Sequence, residues 1–185
     1  MAAGPLLLIG LRCSGKTTLG QTLAKAAGVT WTDLDPHTLG LLECSSVHEA
    51  FERHGEAGWR QAEARALDMV MDAGHGVISL GGGTPTAPAA AAAIRAAQAC
   101  GRAMVALLDP GPRELVRRLA GSRGDRPVLA KDDREEVRRL SSARLPLYRS
   151  LADLTVDSSF PPTRCVDRLL VAIRTRRWPW PPADG

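Results

Sequence analysis

Gly10-Leu11-Arg12-Cys13-Ser14-Gly15-Lys16-Thr17 fits the pattern G-x-x-x-x-G-K-[ST]. An apolar run, Pro5 to Ile9, precedes it, and a segment of helical period, Thr18 to Ala27, follows, which is the strand-loop-helix context the pattern needs. Glycines let successive backbone N–H groups turn inward as a nest for an anion, and the helix that follows aims its positive end at the same point. Lys16 adds a point charge for β- and γ-phosphates, and the Thr17 hydroxyl is a ligand for Mg²⁺. Cys13 lies inside this nest. Two readings of it stand: a thiol activated by the helix end and Lys16, or an inert filler.

Outward from this loop, short apolar runs at Val77 to Leu80 and Met104 to Leu108 alternate with longer segments of helical period. Weaker strand candidates are Val29 to Thr32 and Leu154 to Val156, giving an α/β fold with about five parallel strands joined by crossover helices. Ser46 with Glu49 reads as a capping box, Gly101 as the stop after Ala89 to Cys100, and Gly111-Pro112 as the opening of another helix. Gly121 to Gly124 reads as a mobile loop leading through Asp125-Arg126-Pro127 into a charged helix near Asp132. The end, Trp178-Pro179-Trp180-Pro181-Pro182, is incompatible with helix.

With 185 residues, 44% hydrophobic and 24% charged, the chain buries one core and needs no second domain. A net charge of +4 is too small, and an aromatic content of 4% too low, to argue for a nucleic-acid binder. Cys13, Cys44, Cys100 and Cys165 are widely spaced and the histidines show no ligand spacing, so a protein metal cage is not expected. Leu6 to Ile9 is too short for a membrane span or signal core, and the expectation is a cytoplasmic protein. The loop motif alone does not choose between kinase, GTPase and motor. No N-K-x-D pattern reads guanine, and the length leaves little room for a motor's coupling elements, so a small-molecule kinase fits best.

Five further stretches carry chemistry. Asp33-Leu34-Asp35, read as extended chain, points both carboxylates one way, toward a metal and an acceptor hydroxyl. Asp35 before Pro36 reads equally as a helix N-cap. Trp59-Arg60-Gln61-Ala62-Glu63 opens a helix with an apolar stripe of Trp59, Ala62, Ala66 and Val70; Glu63 either steadies Arg60 or forms a plain surface ion pair with it. Gly81-Gly82-Gly83 after a strand offers bare backbone for close approach by a ligand, beyond what a tight turn needs. Arg126-Pro127-Val128-Leu129 lies in the loop and Arg144-Leu145-Pro146-Leu147-Tyr148 ends the next helix. A loop arginine closing on a phosphoryl group stabilises its spread charge.

Taken together, the G-x-x-x-S-G-K-T-T-L-G start, the D-x-D, the aromatic-Arg-x-x-Glu, the L-G-G-G, the R-P-x-L and the R-x-P-L-Y resemble shikimate kinases, in family order and near family spacing, from about residue 5 to 175. The resemblance implies a three-layer P-loop kinase fold with a five-stranded parallel sheet of order 2-3-1-4-5. It implies ATP- and Mg²⁺-dependent phosphorylation of the 3-hydroxyl of shikimate, on the way to chorismate and aromatic amino acids. Residue by residue, Gly10, Cys13, Ser14, Gly15, Lys16, Thr17 and Thr18 would hold ATP, with Arg118 flanking adenine. Thr17 and Asp33 would serve the metal. Asp35 would hold the acceptor hydroxyls and take the proton, Arg60 and Arg144 would clamp the carboxylate with backbone at Gly81, Gly82 and Gly83, and Arg126 would close with a lid at about 121–131. Lys16, Asp35 and Arg126 would be catalytic. The substrate segment would span about 33–62 of a single domain over 1–177, with a Pro-rich tail at 178–185 and a monomer acting on small molecules, with no nucleic acid or membrane partner.

The chain departs from the family pattern at Leu39, where an acidic residue is usual, at Pro36, and in Ser158-Ser159-Phe160-Pro161-Pro162, which replaces the adenine-side segment. The rival readings are a related kinase of another hydroxy acid, such as gluconate, or a non-catalytic nucleotide-binding relative.

Overall fold

The computed structural model of the chain describes residues 4–73, 76–121, 132–176 and 178. Strands β1 (Leu6–Ile9), β2 (Trp31–Asp33), β3 (Val77–Ser79), β4 (Met104–Leu108) and β5 (Leu154–Val156) form one parallel sheet in the order β2-β3-β1-β4-β5. Between them run α1 (Lys16–Ala27), α2 (Leu34–Leu42), α3 (Val47–Ala73), a 3-10 turn at Thr84–Thr86, α4 (Pro88–Ala99), α5 (Pro112–Gly121), α6 (Asp133–Leu151) and α7 (Pro162–Thr175).

Alternation of side chains divides the strands between two cores. Leu7, Ile9, Val105 and Leu107 join Leu67 of α3, Ile94 of α4, Leu119 of α5 and Leu140 of α6 on one face. Leu6, Leu8, Met104 and Ala106 join Leu23 of α1 and Val166, Leu169 and Ile173 of α7 on the other. Both faces are therefore covered, which is why these strands read as unbroken apolar runs. β1 pairs with β3 on one side and β4 on the other, so its carboxyl end opens at the point where strand order reverses.

The first strand and the helix after it fall where the sequence placed them, and β4 and β5 match to the residue. As expected, Gly101 (φ 65°) follows α4 and Gly111 accepts from Leu115 N–H at the start of α5; Gly28 (φ 67°), which the sequence reading did not single out, stops α1. Ser46 Oγ accepts from Glu49 N–H at 3.1 Å, but the return arm of Glu49 lands on Ser45, through its N–H (2.8 Å) and hydroxyl (2.7 Å).

Two expectations are corrected. β2 sits later than Val29 to Thr32, at Trp31–Asp33, and Asp33 rather than Asp35 caps α2: Asp33 Oδ1 accepts Asp35 N–H at 3.2 Å. Asp35 lies in the first turn of α2, so the two aspartates flank a strand-to-helix bend instead of sharing one extended segment, and Pro36 falls where a helix still has N–H groups without partners. Trp59-Arg60-Gln61-Ala62-Glu63 opens a helical limb as expected: α3 breaks at Gly55 (φ 66°, ψ 178°), and Trp59 lies in the first turn of the limb that follows. The stripe Trp59, Ala62, Ala66 and Val70 is buried as the period requires. Arg126, the rest of the expected lid from 122 to 131, and the tail from 179 onward lie outside the described residues; Trp178 packs against the α1 and α7 core.

Candidate active site

The loop from Gly10 to Gly15 turns on three positive φ angles, at Gly10 (151°), Cys13 (60°) and Gly15 (96°). Cys13 is a non-glycine residue in the left-handed region, a conformation held only where surrounding contacts fix it. Here the contacts are Arg118, whose Nη1 donates to Cys13 O (3.3 Å) and Ser14 O (3.2 Å), and Ser158, whose hydroxyl donates to Ser14 O (2.7 Å). A Cβ on Gly10 would meet Leu108 O at 2.6 Å, so β4 packs too close for any other residue there. Lys16 Nζ donates to Gly10 O and Leu11 O, each at 3.0 Å. Its charge thus stands over the nest at the start of α1.

Thr17 Oγ1 donates to Asp33 Oδ2 at 3.4 Å, while the other Asp33 oxygen caps α2. Burial pushes the Asp33 carboxyl above the usual range, with the Asp35 charge adding to the rise and Asp35 N–H, Lys16 and Thr17 opposing it. A desolvated carboxylate beside a hydroxyl is a hard-oxygen pair, which suits Mg²⁺. Among the described residues no cluster of three or more His, Cys, Asp or Glu forms a metal cage. Such an ion would take its remaining ligands from phosphate and water.

These residues line a cavity of about 690 Å³ that also touches Asp35, Gly81 and Gly82. A second cavity, about 310 Å³, shares Arg12, Asp35, Gly81 and Gly82 with the first, and adds Arg60, Glu63, Gly83, Arg139 and Arg144. Asp35 thus stands where the two meet.

The second cavity is held by an interlocked set of charges. Arg60 Nη1 donates to Glu63 Oε2, and Glu63 Oε1 accepts from Thr84 Oγ1 at 2.6 Å. Glu63 is 1% exposed at its side chain, which excludes the surface-pair reading. Burial pushes its carboxyl up, against the pull of Arg60 and Thr84; burial likewise works against the Arg60 charge, but Glu63 and Glu56 more than offset it. Arg144 Nη1 (2.9 Å) and the Tyr148 hydroxyl (2.6 Å) both donate to Gly82 O. The three glycines therefore have a reason the sequence did not reveal. A Cβ on Gly83 would overlap the Arg60 guanidinium, and one on Gly81 would meet Glu63 Oε1 at 2.6 Å and Asp35 Oδ1 at 3.0 Å. None of the three has positive φ: at Gly81 and Gly83 the approach of the site's own side chains requires glycine, while a Cβ on Gly82 would meet the backbone N of Arg12 in the phosphate loop at 3.1 Å.

Arg118 lines the first cavity, with Nε on Glu114 Oε1 (2.7 Å) and Nη2 on Ser158 O (2.6 Å) besides its loop contacts. Sequence reasoning missed Arg12, whose Nη1 meets Glu136 Oε1 at 3.2 Å and which lines both cavities. It also missed Glu136, 1% exposed. The signal was there: Glu136 falls four residues before Leu140 and eight before Arg144, on the inward stripe of a helix whose other early acids face out.

A family model for shikimate kinase matches residues 12–174. A shikimate kinase of Synechococcus sp. (strain RCC307) is 39% identical over 154 residues, 83% of this chain and 75% of that protein. Among solved structures, the shikimate kinase of Bacteroides thetaiotaomicron superposes with a TM-score of 0.82 at 27% identity, over 94% of this chain and 99% of that one. The shikimate kinase of Acinetobacter baumannii in complex with shikimate gives 0.83 at 22% identity over 95% and 96%, a likeness of fold. The glycine-rich loop, the two cavities meeting at Asp35 and a family match over most of the length agree, and the chain belongs to the shikimate kinase family.

Proposed function

We propose that the chain transfers the γ-phosphoryl group of ATP to the 3-hydroxyl of shikimate, giving shikimate 3-phosphate and ADP in the route to chorismate. The observation that carries this reading is the meeting of the two cavities at Asp35, one beside the phosphate loop and the other flanked by Arg60 and Arg144. Phosphoryl transfer needs mainly positioning and charge stabilisation, and each has residues here. The nest of Gly10, Cys13, Ser14 and Gly15, with Thr18 behind it, holds the phosphates. Lys16 supports charge on the transferring group. Thr17 and Asp33 are the residues that would hold Mg²⁺, which when bound neutralises charge on the phosphates. Asp35 orients the acceptor hydroxyl and takes its proton. Arg60 and Arg144, with the backbone of Gly81 to Gly83, grip a carboxylate, Arg118 flanks the base, and Arg126 closes on the phosphoryl group.

We place these roles on one kinase domain over 1–177, with 178–185 as a tail, acting as a monomer in the cytoplasm. Among the described residues no helix is long and apolar enough to cross a membrane. The reading is tested by ATP consumption with shikimate, quinate, gluconate or AMP as acceptor. Turnover with shikimate well above the other three is expected; a larger kcat/KM for gluconate or AMP would overturn it.

A further inference from the structure

The two cavities meet along Arg12, Asp35, Gly81 and Gly82. The glycines offer only backbone there and Asp35 is an anion, so among the described residues Arg12 is the cation that lines both sides. Lys16 and Arg118 line the first cavity alone, and Arg60, Arg139 and Arg144 the second alone. Arg12 also spans the junction. A Cβ on Gly82 would lie 3.1 Å from Arg12 N and 3.6 Å from its Cα, which places the root of the side chain at the glycine turn. The far end, Nη1, donates to Glu136 Oε1 at 3.2 Å on α6, one helical turn before the Arg139 of the second cavity. The Arg12 side chain is 20% exposed and that of Glu136 only 2%.

A tie between the loop and α6 could be made by apolar side chains of similar volume without the desolvation that a buried ion pair costs. Glu136 takes a single donor of the guanidinium fork, and among the described residues no second partner holds it, which leaves N–H groups for an anion passing between the cavities. In the transfer proposed above, the bond from the γ-phosphorus to ADP breaks, a bond to the acceptor oxygen forms, and the hydroxyl proton passes to Asp35. The moving group spreads its negative charge over its equatorial oxygens and carries it past the Asp35 carboxylate, where like charges repel. Lys16 offsets that repulsion from the donor side. A cation shared by both cavities offsets it through the whole crossing.

We propose that Arg12, aimed by Glu136, is a further catalytic residue that stays with the phosphoryl group on both sides, meeting it first as the γ-phosphate and then as the phosphate of the product. This rests on the phosphoryl-transfer reading above. Arg12→Met is compared with the unaltered chain by titration calorimetry with Mg²⁺, using adenylyl imidodiphosphate against ADP, and shikimate 3-phosphate against shikimate. The preference for the triphosphate and the preference for the phosphorylated acid each fall about tenfold, while the affinities for ADP and shikimate move by less than about threefold. A preference that moves less than about threefold in either pair overturns the inference, because the arginine then serves one side or neither. Equal weakening of all the ligands also overturns it, as the mark of a mere tie between the loop and α6. If shikimate 3-phosphate does not bind the unaltered chain, the acceptor reading fails, and the triphosphate preference alone decides this one with the same threefold limit. The single variant leaves a buried carboxylate without its partner, so Arg12→Met combined with Glu136→Gln makes the same comparison should it lose its native circular dichroism.

Discussion

On the donor side the surface that faces an anion is backbone, shaped by the positive φ of Gly10, Cys13 and Gly15 within six residues of chain, whereas the acceptor side is made of side chains from α2, α3 and α6 laid against three bare glycines. The first needs contiguous sequence and little else. The second needs a folded sheet before any of its parts meet, with Asp35, Arg60, Gly83 and Arg144 brought together from across more than a hundred residues of chain. Charge is handled differently too. Arg118 on the donor side is held mostly by carbonyl oxygens, while Arg60 on the acceptor side is held by a carboxylate that is itself buried.

The largest effect belongs to the donor side. Lys16→Ala leaves a folded protein and lowers kcat by about 10² to 10³, the range for removing one group that stabilises transition-state charge. Near-normal turnover in a steady-state assay would break the division of labour. Next comes the junction: Asp35→Asn keeps size and loses the negative charge, so its loss falls on kcat, with KM for shikimate changed much less.

Arg60→Ala acts on the acceptor side alone. KM for shikimate rises by about 2 to 3 kcal/mol, roughly thirty- to 160-fold, and KM for ATP stays put. An equal rise for both substrates would show that the two cavities are not separate in function. Gly83→Ala sharpens the same point. Gly83 sits at φ −119°, ψ −9°, which alanine also adopts, so any defect comes from its Cβ pushing the Arg60 guanidinium aside. A rise of about tenfold in KM for shikimate is expected, less than deletion of the arginine because its long stem gives way. An unchanged KM would return the glycines to the simple role of leaving room for a ligand.

How far the site was legible follows from this contrast. The phosphate loop and its flanking strand and helix were readable because pattern, turn chemistry and periodicity coincide in one stretch, Pro5 to Ala27. Arg60 and Glu63 were readable as a pair one helical turn apart, but whether that pair was buried depended on the sheet beneath it. The stretch from Asp33 to Asp35 was misread as extended chain, or as capped by Asp35, because a strand end and a helix cap share the same local sequence, and only pairing with β3 decides where β2 stops. Arg12 and Glu136 had no local signal linking them, being 124 positions apart.

The smallest effect tests the carbonyl support of Arg118. Arg117 first, then Arg118, hold the Glu114 carboxyl down from 4.5 to about 2. A carboxyl lowered on folding contributes stability above its unfolded pKa and loses it as pH falls from about 4.5 toward 2. Glu114→Gln therefore lowers the melting temperature at pH 7, by no more than about 2 to 4 °C, and the difference shrinks toward pH 3. A much larger drop would mean that Arg118 leans on Glu114 more than on the loop carbonyls.

The break in α3 at Gly55 separates two properties that a continuous rod would tie together. Val47 and Phe51, in the limb before it, help set the volume of the acceptor cavity, while Arg60 and Glu63, in the limb after it, set its charge. The two limbs meet again where the Phe51 and Trp59 rings lie 5.7 Å apart, so the shape and the charge of the acceptor cavity are set in separate limbs joined by one aromatic contact.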